Sequence, residues 1–232
     1  MCDFDCFMTQ EILEAFTEEI SNREGKVIDT FHQPGQLFVR SVLPPGEEIR
    51  VGDKVQGGVA LRATDTAAWV YPYVFRLVCK NGAIMAHAAA GRELPNLEGV
   101  PVFEAVSLVR EAVACCCDGD AFARAAEQMR TAAQQPMDAL LSMMPFLSHV
   151  SALSPELAGQ ILERFFQEDD RTRYGLMNAV TSVARDTREH SRRWRLEELG
   201  AQIALMRSPE PVLDDGAEEP IPREDEGLVI AR

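Results

Sequence analysis

The chain has 232 residues, 46% of them apolar, and a formal net charge of -14. That apolar share excludes a fully disordered chain, and no uninterrupted apolar run approaches the ~18–20 residues that cross a bilayer. The amino terminus Met1-Cys2-Asp3-Phe4-Asp5 is acidic where a secretory signal is basic, so a soluble, cytoplasmic protein without a membrane partner is expected. Three of the six cysteines are adjacent (Cys115, Cys116, Cys117), and successive side chains on a helix diverge by about 100°, a poor disulfide framework. Reduced thiols fit better.

The charge is unevenly spread. Residues 1–170 carry a net -12, residues 171–195 a net +5, and residues 207–232 a net -5. A polyanion is therefore attracted locally to the Arg-rich segment while the molecule as a whole repels it at long range. The alternative is that these arginines pair with neighbouring acids on solvated helix faces.

Thr9 can cap a helix whose apolar positions Ile12, Leu13, Phe16 and Ile20 follow helical spacing, within an N-terminal helical unit over 1–22. From Lys26 the period changes to β-rich runs at 27–31, 36–42 and 55–63, separated by Gln33-Pro34-Gly35 and Pro44-Pro45-Gly46. The segment Ala67 to Gly82 supports two readings. As a strand it places Trp69, Tyr71, Tyr73 and Phe75 on one face and makes a hairpin at Asn81-Gly82. As a helix it has Pro72 at its first position and Gly82 just past its end. The asymmetry of Pro and Gly favours a strand through Tyr71, then a short helix to Asn81.

From Pro101 to Met206 the spacing is helical, with a break at Asp118-Gly119 and a strong start at Ser154-Pro155-Glu156. Further helices carry Leu176, Val180 and Val183, then Trp194, Leu199 and Ile203. The tail, with four prolines among its acids, cannot bury enough apolar surface to offset its ordering entropy, and Leu228-Val229-Ile230 reads as a short docking peptide. The order of elements predicts an α+β fold. An antiparallel β-meander (β-rich over 26–100) precedes a helical half (101–206), so 23–206 forms one domain, followed by an acidic tail over 207–232.

No phosphate loop, dinucleotide fingerprint, HExxH helix or nucleophile elbow is present, so the chain reads as non-enzymatic, with no cofactor and no metal. Cys79 and His87 offer the atom types of a thiolate–imidazole pair or a zinc site, but neither sits in a paired spacing, and a buried cysteine with a hydrogen-bonded histidine is the simpler reading. Asn178, Thr181 or Ser182, and Arg185 fall on one helix face. Such a stripe can bind a phosphate, a base edge or a partner helix, or fix the register of a helix bundle. The aromatic run Trp69 to Phe75 beside Arg76 and Lys80 can stack single-stranded bases, or it can be core.

Val51-Gly52-Asp53, Gly58-Val59-Ala60-Leu61-Arg62, Phe75-Arg76-Leu77-Val78-Cys79-Lys80-Asn81-Gly82 and Asn178-Ala179-Val180-Thr181 together resemble the phage/plasmid-like family of bacteria, phages and plasmids, domain of unknown function 932. The likeness runs from about Arg23 to Met206. The chain departs from the family pattern at Ala63-Thr64-Asp65-Thr66-Ala67 and at His87, which three alanines separate from Gly91. The resemblance implies a mobile-element setting among DNA replication and recombination functions. The order of a β-meander and then helices is also similar to that of single-strand annealing proteins.

The expected function is that of an accessory protein of mobile-element DNA metabolism, with single-stranded nucleic acid or a DNA-processing protein as partner and homo-oligomerisation left open. Arg76, Lys80, Arg185, Arg188, Arg192, Arg193 and Arg195 would neutralise phosphates, and Asn81, Asn178 and Thr181 would supply polar contacts. The alternative is an acidic protein-interaction module without nucleic-acid affinity, which the net charge favours.

Overall fold

The computed structural model describes residues 4–86, 88–117, 119–137 and 153–205. His87 and the tail over 207–232 lie outside them. Helix α1 (Phe4–Ser21) is followed by seven strands: β1 (Lys26–Gln33), β2 (Gln36–Val42), β3 (Gly46–Arg50), β4 (Asp53–Thr64), β5 (Ala68–Arg76), β6 (Asn81–Ile84) and β7 (Arg92–Leu94). Among the described residues five helices come after them: α2 (Val102–Cys116), α3 (Gly119–Ala133), α4 (Pro155–Gln167), α5 (Arg173–Asp186) and α6 (His190–Ala204). The fold is α+β, with the antiparallel sheet in the first half and helices in the second.

The sheet is built on two long strands. β4 pairs with β5 over Val55–Ala63, and each carries two short strands end to end on its other side: β2 and β3 along β4, β6 and β7 along β5. β1 closes the β2 edge. The β2 ladder onto β4 stops at Arg40–Ala60, and there the Ser41 hydroxyl fills the gap, accepting from Val59 N–H at 3.1 Å and donating to Val59 C=O at 3.0 Å. Gly58 lies beside it, where a Cβ would fall 1.9 Å from the Ser41 carbonyl oxygen, so only glycine fits.

The segment from Ala67 to Gly82 corrects the expected strand-then-helix: it is one strand to Arg76, a turn, and β6. Pro72 is mid-strand, opposite Val59. In an antiparallel strand the N–H and C=O of one residue face the same neighbour, and the Pro72 carbonyl accepts from Met85 N–H at 2.8 Å, away from β4. The missing N–H therefore faces Met85, one residue past β6, whose carbonyl accepts from Ala88 N–H at 2.9 Å instead, and the β4 ladder loses nothing. Thr9 is a second correction: α1 begins before it, and its hydroxyl lies 2.9 Å from His32 Nε2 on β1 instead of capping.

Alternation along the strands makes two apolar faces. Leu37, Val39, Val59, Leu61, Ala68 and Val70 meet α1 and α2 through Ile12, Phe16, Ile20, Val109 and Val113. Burying each such aliphatic or aromatic side chain is worth roughly 1.5–3 kcal/mol, which anchors α1 far beyond its own propensity. On the opposite face Phe38, Ala60, Tyr71, Tyr73 and Ile84 receive Trp194 of α6. A third cluster joins α3, α4, α5 and α6 to the ends of β4, β5 and β6 through Val55, Val74 and Met85. Helix starts follow the capping rules: Ser154 and Thr172 accept from Leu157 N–H and Gly175 N–H at the heads of α4 and α5, and Glu189 accepts from Ser191 and Arg192 N–H at the head of α6.

Candidate functional site

The β5–β6 hairpin, α5, the connection after it and α6 carry the side chains singled out in the sequence as binding residues, and the structure divides them into three settings. The first is a buried lock. Asn81 Nδ2 donates to Thr181 Oγ1 at 2.6 Å and to the Asn178 carbonyl at 3.4 Å, while Thr181 Oγ1 donates to the Met177 carbonyl at 3.0 Å. Asn81, Asn178 and Thr181 are 3%, 1% and 1% exposed, so they tie the sheet edge to α5 and present no polar atom to solvent chemistry. Arg76 belongs to the same end of the sheet. Its Nε donates to both Asp53 oxygens at 2.8 and 3.0 Å, and Nη1 reaches Cys79 Sγ at 3.1 Å. The Tyr174 ring lies beneath Arg50 and Arg76, and burial together with the Asp53 charge holds its hydroxyl above the usual tyrosine range.

The second setting is an exposed basic edge. Arg185 Nη1 donates to the Cys79 carbonyl at 2.5 Å, which fastens the turn carrying exposed Lys80 to the end of α5. Beyond it, Arg188 and Arg192 are exposed and, with Arg164, line a groove of about 530 Å³ between α4 and the α5–α6 connection. The groove is of mixed sign, for Glu156, Glu163, Asp186 and Glu189 also border it. Asp186 is held by Arg164 at 3.1 Å and by Arg185 at 3.0 Å; those hydrogen bonds and charges keep its carboxyl below the usual range against the opposing effect of burial.

Charge in the third setting is spent internally. Arg193 meets Asp29 at 2.9 Å and Glu197 at 3.1 Å, and buried Arg40 meets the same two carboxylates at 3.1 and 2.7 Å. The four side chains close a ring between β1, β2 and α6. Arg40, Asp29 and Glu197 were not singled out in the sequence; an arginine at the centre of Phe38-Val39-Arg40-Ser41-Val42 is the signal that could have found them, since a buried charge requires a partner. Arg195 is half-buried near Arg62, whose guanidinium sits between the rings of Trp69 at 4.8 Å and Phe38 at 5.6 Å.

These contacts belong to one cross-strand row, Phe31–Phe38–Arg62–Trp69–Glu93, running over β1, β2, β4, β5 and β7. His190 stacks on Phe31 at 3.8 Å from above. Glu198 accepts from Trp194 Nε1 at 2.7 Å, and burial pushes its carboxyl up to about 7 despite that bond and the charges of Arg62 and Arg195. The aromatic run of β5 thus serves the core: Tyr71 and Tyr73 are buried, and Trp69 and Phe75 are half-buried. Cys79 has the Arg76 contact, and among the described residues no three His, Cys, Asp or Glu side chains gather where they could hold a metal ion. No helix among them is long and apolar enough to cross a membrane.

Comparisons with protein-family models, with curated proteins and with solved structures find no match to this chain.

Proposed function

We propose that this protein binds single-stranded nucleic acid as a non-enzymatic accessory factor of mobile-element DNA metabolism, the setting implied by its resemblance to the phage/plasmid-like family. One observation carries the reading: the Arg185–Cys79 hydrogen bond sets the turn with Lys80 at the end of α5, and beyond that end Arg188 and Arg192 border a groove of about 530 Å³. Lys80, Arg188 and Arg192 supply the phosphate contacts. Arg76 and Arg185 act behind them, ion-paired with Asp53 and Asp186 and holding the turn and the end of α5 in shape, whereas Arg193 is taken up by Asp29 and Glu197.

The test is titration of a labelled single-stranded oligonucleotide with the wild-type chain and with Lys80→Glu/Arg188→Glu/Arg192→Glu, across salt concentrations. Three lost phosphate contacts should flatten the log–log salt slope by about 2, because each contact on a single strand releases roughly 0.7 of a counterion. Absence of wild-type binding at low salt, or an unchanged slope in the variant, overturns the proposal. The mixed sign of the groove favours a second reading, a charged peptide of a DNA-processing protein, which the same triple variant would also fail to hold.

A further inference from the structure

A second cavity, of about 240 Å³, lies on the other side of the sheet from the α6 aromatic face, where the end of α2 and the start of α3 approach β4 and β5. Its walls include Pro44, Pro45, Pro72, Met85, Phe122 and Cys117. The cavity has a local cause. β4 runs past it as Gly57-Gly58, two residues without side chains, and Phe122 lies against Gly57 so closely that a Cβ there would fall 2.7 Å from the ring.

We infer that this cavity is a binding site for a small neutral aromatic molecule of one or two fused rings. Size sets the ring count: apolar cavities of about 150 Å³ already accept benzene, and this one is larger. Charge sets the class. Burial pushes the Cys117 thiol up to about 11 and the Cys116 thiol above the usual range; Cys116 is further held by the Val70 and Ala90 carbonyls at 3.5 and 3.3 Å. Both sulfurs are therefore neutral at pH 7. The carboxylate at the cavity, Glu47, is already engaged by Arg130 at 2.6 Å. A charged ligand would find no counter-charge and would lose its hydration. Flat proline faces, the Phe122 ring and the polarisable sulfurs of Met85 and Cys117 suit a flat π surface. The site is independent of the basic edge and stands or falls apart from the nucleic-acid reading.

The experiment is a titration of the full chain, carrying 13C-labelled methionine methyls, with indole and with benzoate, the Met85 signal being assigned by Met85→Leu. Saturable movement of the Met85 methyl with indole, and binding of benzoate about tenfold weaker or worse, is the expected result. Ala121→Leu and Ala125→Leu, each of which adds volume to the cavity wall, should each weaken indole binding by about tenfold or more while leaving the circular dichroism unchanged. No Met85 shift at saturating indole, equal binding of benzoate, or undiminished binding by folded variants overturns the inference. Should both variants fail to fold, the wild-type Met85 shift and the indole–benzoate ratio decide it.

Discussion

Arg40 and Glu197 lie 157 residues apart in sequence, and their side chains meet at 2.7 Å with 1% and 2% of their surface exposed. Asp29 and Arg193 complete the ring, so α6 is fastened to β1 and β2 by two arginines and two carboxylates. A buried pair of this kind adds little net stability over an apolar pair of similar size, but losing one partner strands the other in the interior. Glu197→Ala should therefore cost about 3–5 kcal/mol in urea unfolding, and Arg40→Met/Glu197→Met should recover much of it. Equal destabilisation by the single and double variants would show that the ring does not act as a unit.

The lock between β6 and α5 gives a smaller effect. Asn81→Ala removes the donor to Thr181 and leaves a hydroxyl that still donates to the Met177 carbonyl. A loss of about 1–3 kcal/mol is expected from equilibrium unfolding. Lys80→Glu, one residue earlier and exposed, should lie within about 0.5 kcal/mol of wild type.

Gly82 and Tyr73 are coupled by shape. A Cβ on Gly82 would sit 2.1 Å from the Tyr73 hydroxyl, and Tyr73 is fully buried. Gly82→Ala should destabilise by about 1–3 kcal/mol through overpacking. In Gly82→Ala/Tyr73→Leu the combined cost should fall below the sum of the two single costs, a non-additivity that thermal or urea unfolding reads directly.

Stability should fall as pH rises from about 4.5 to about 7 on account of Glu198. Its carboxyl is pushed up from 4.5 to about 7 by burial, against the Trp194 hydrogen bond and the charges of Arg62 and Arg195, with Glu197 adding to the rise. Across that window the folded chain retains a proton that the unfolded chain has released, so deprotonation favours unfolding. The cost above pH 7 is about 3 kcal/mol. Glu198→Gln keeps an acceptor for Trp194 and removes the titration, so its advantage over wild type should grow between pH 5 and pH 8 in urea melts. An advantage that stays constant with pH would contradict this assignment.

By itself the sequence determined whatever depends on near neighbours along the chain. The spacing of Ile12, Phe16 and Ile20 marks α1, Ser154-Pro155 marks the head of α4, and the turn residues between β-rich runs mark a meander, because helix and strand periods and caps are local properties. Asn81, Asn178 and Thr181 were legible as special but not as partners of one another, since residues about 100 apart meet only when the sheet edge docks on α5. Pro72 argued against a strand, and only the tertiary structure decided that its missing N–H faces away from β4, toward Met85, whose carbonyl is taken by Ala88 N–H. The arginines show the same division. Their number is written in the chain, whereas Arg193 is consumed by Asp29 and Glu197 and Arg188 faces a groove because tertiary packing alone chooses which charges find partners. The cavity beside Phe122 likewise has no sequence signal, for an empty space is a property of what several elements fail to fill together.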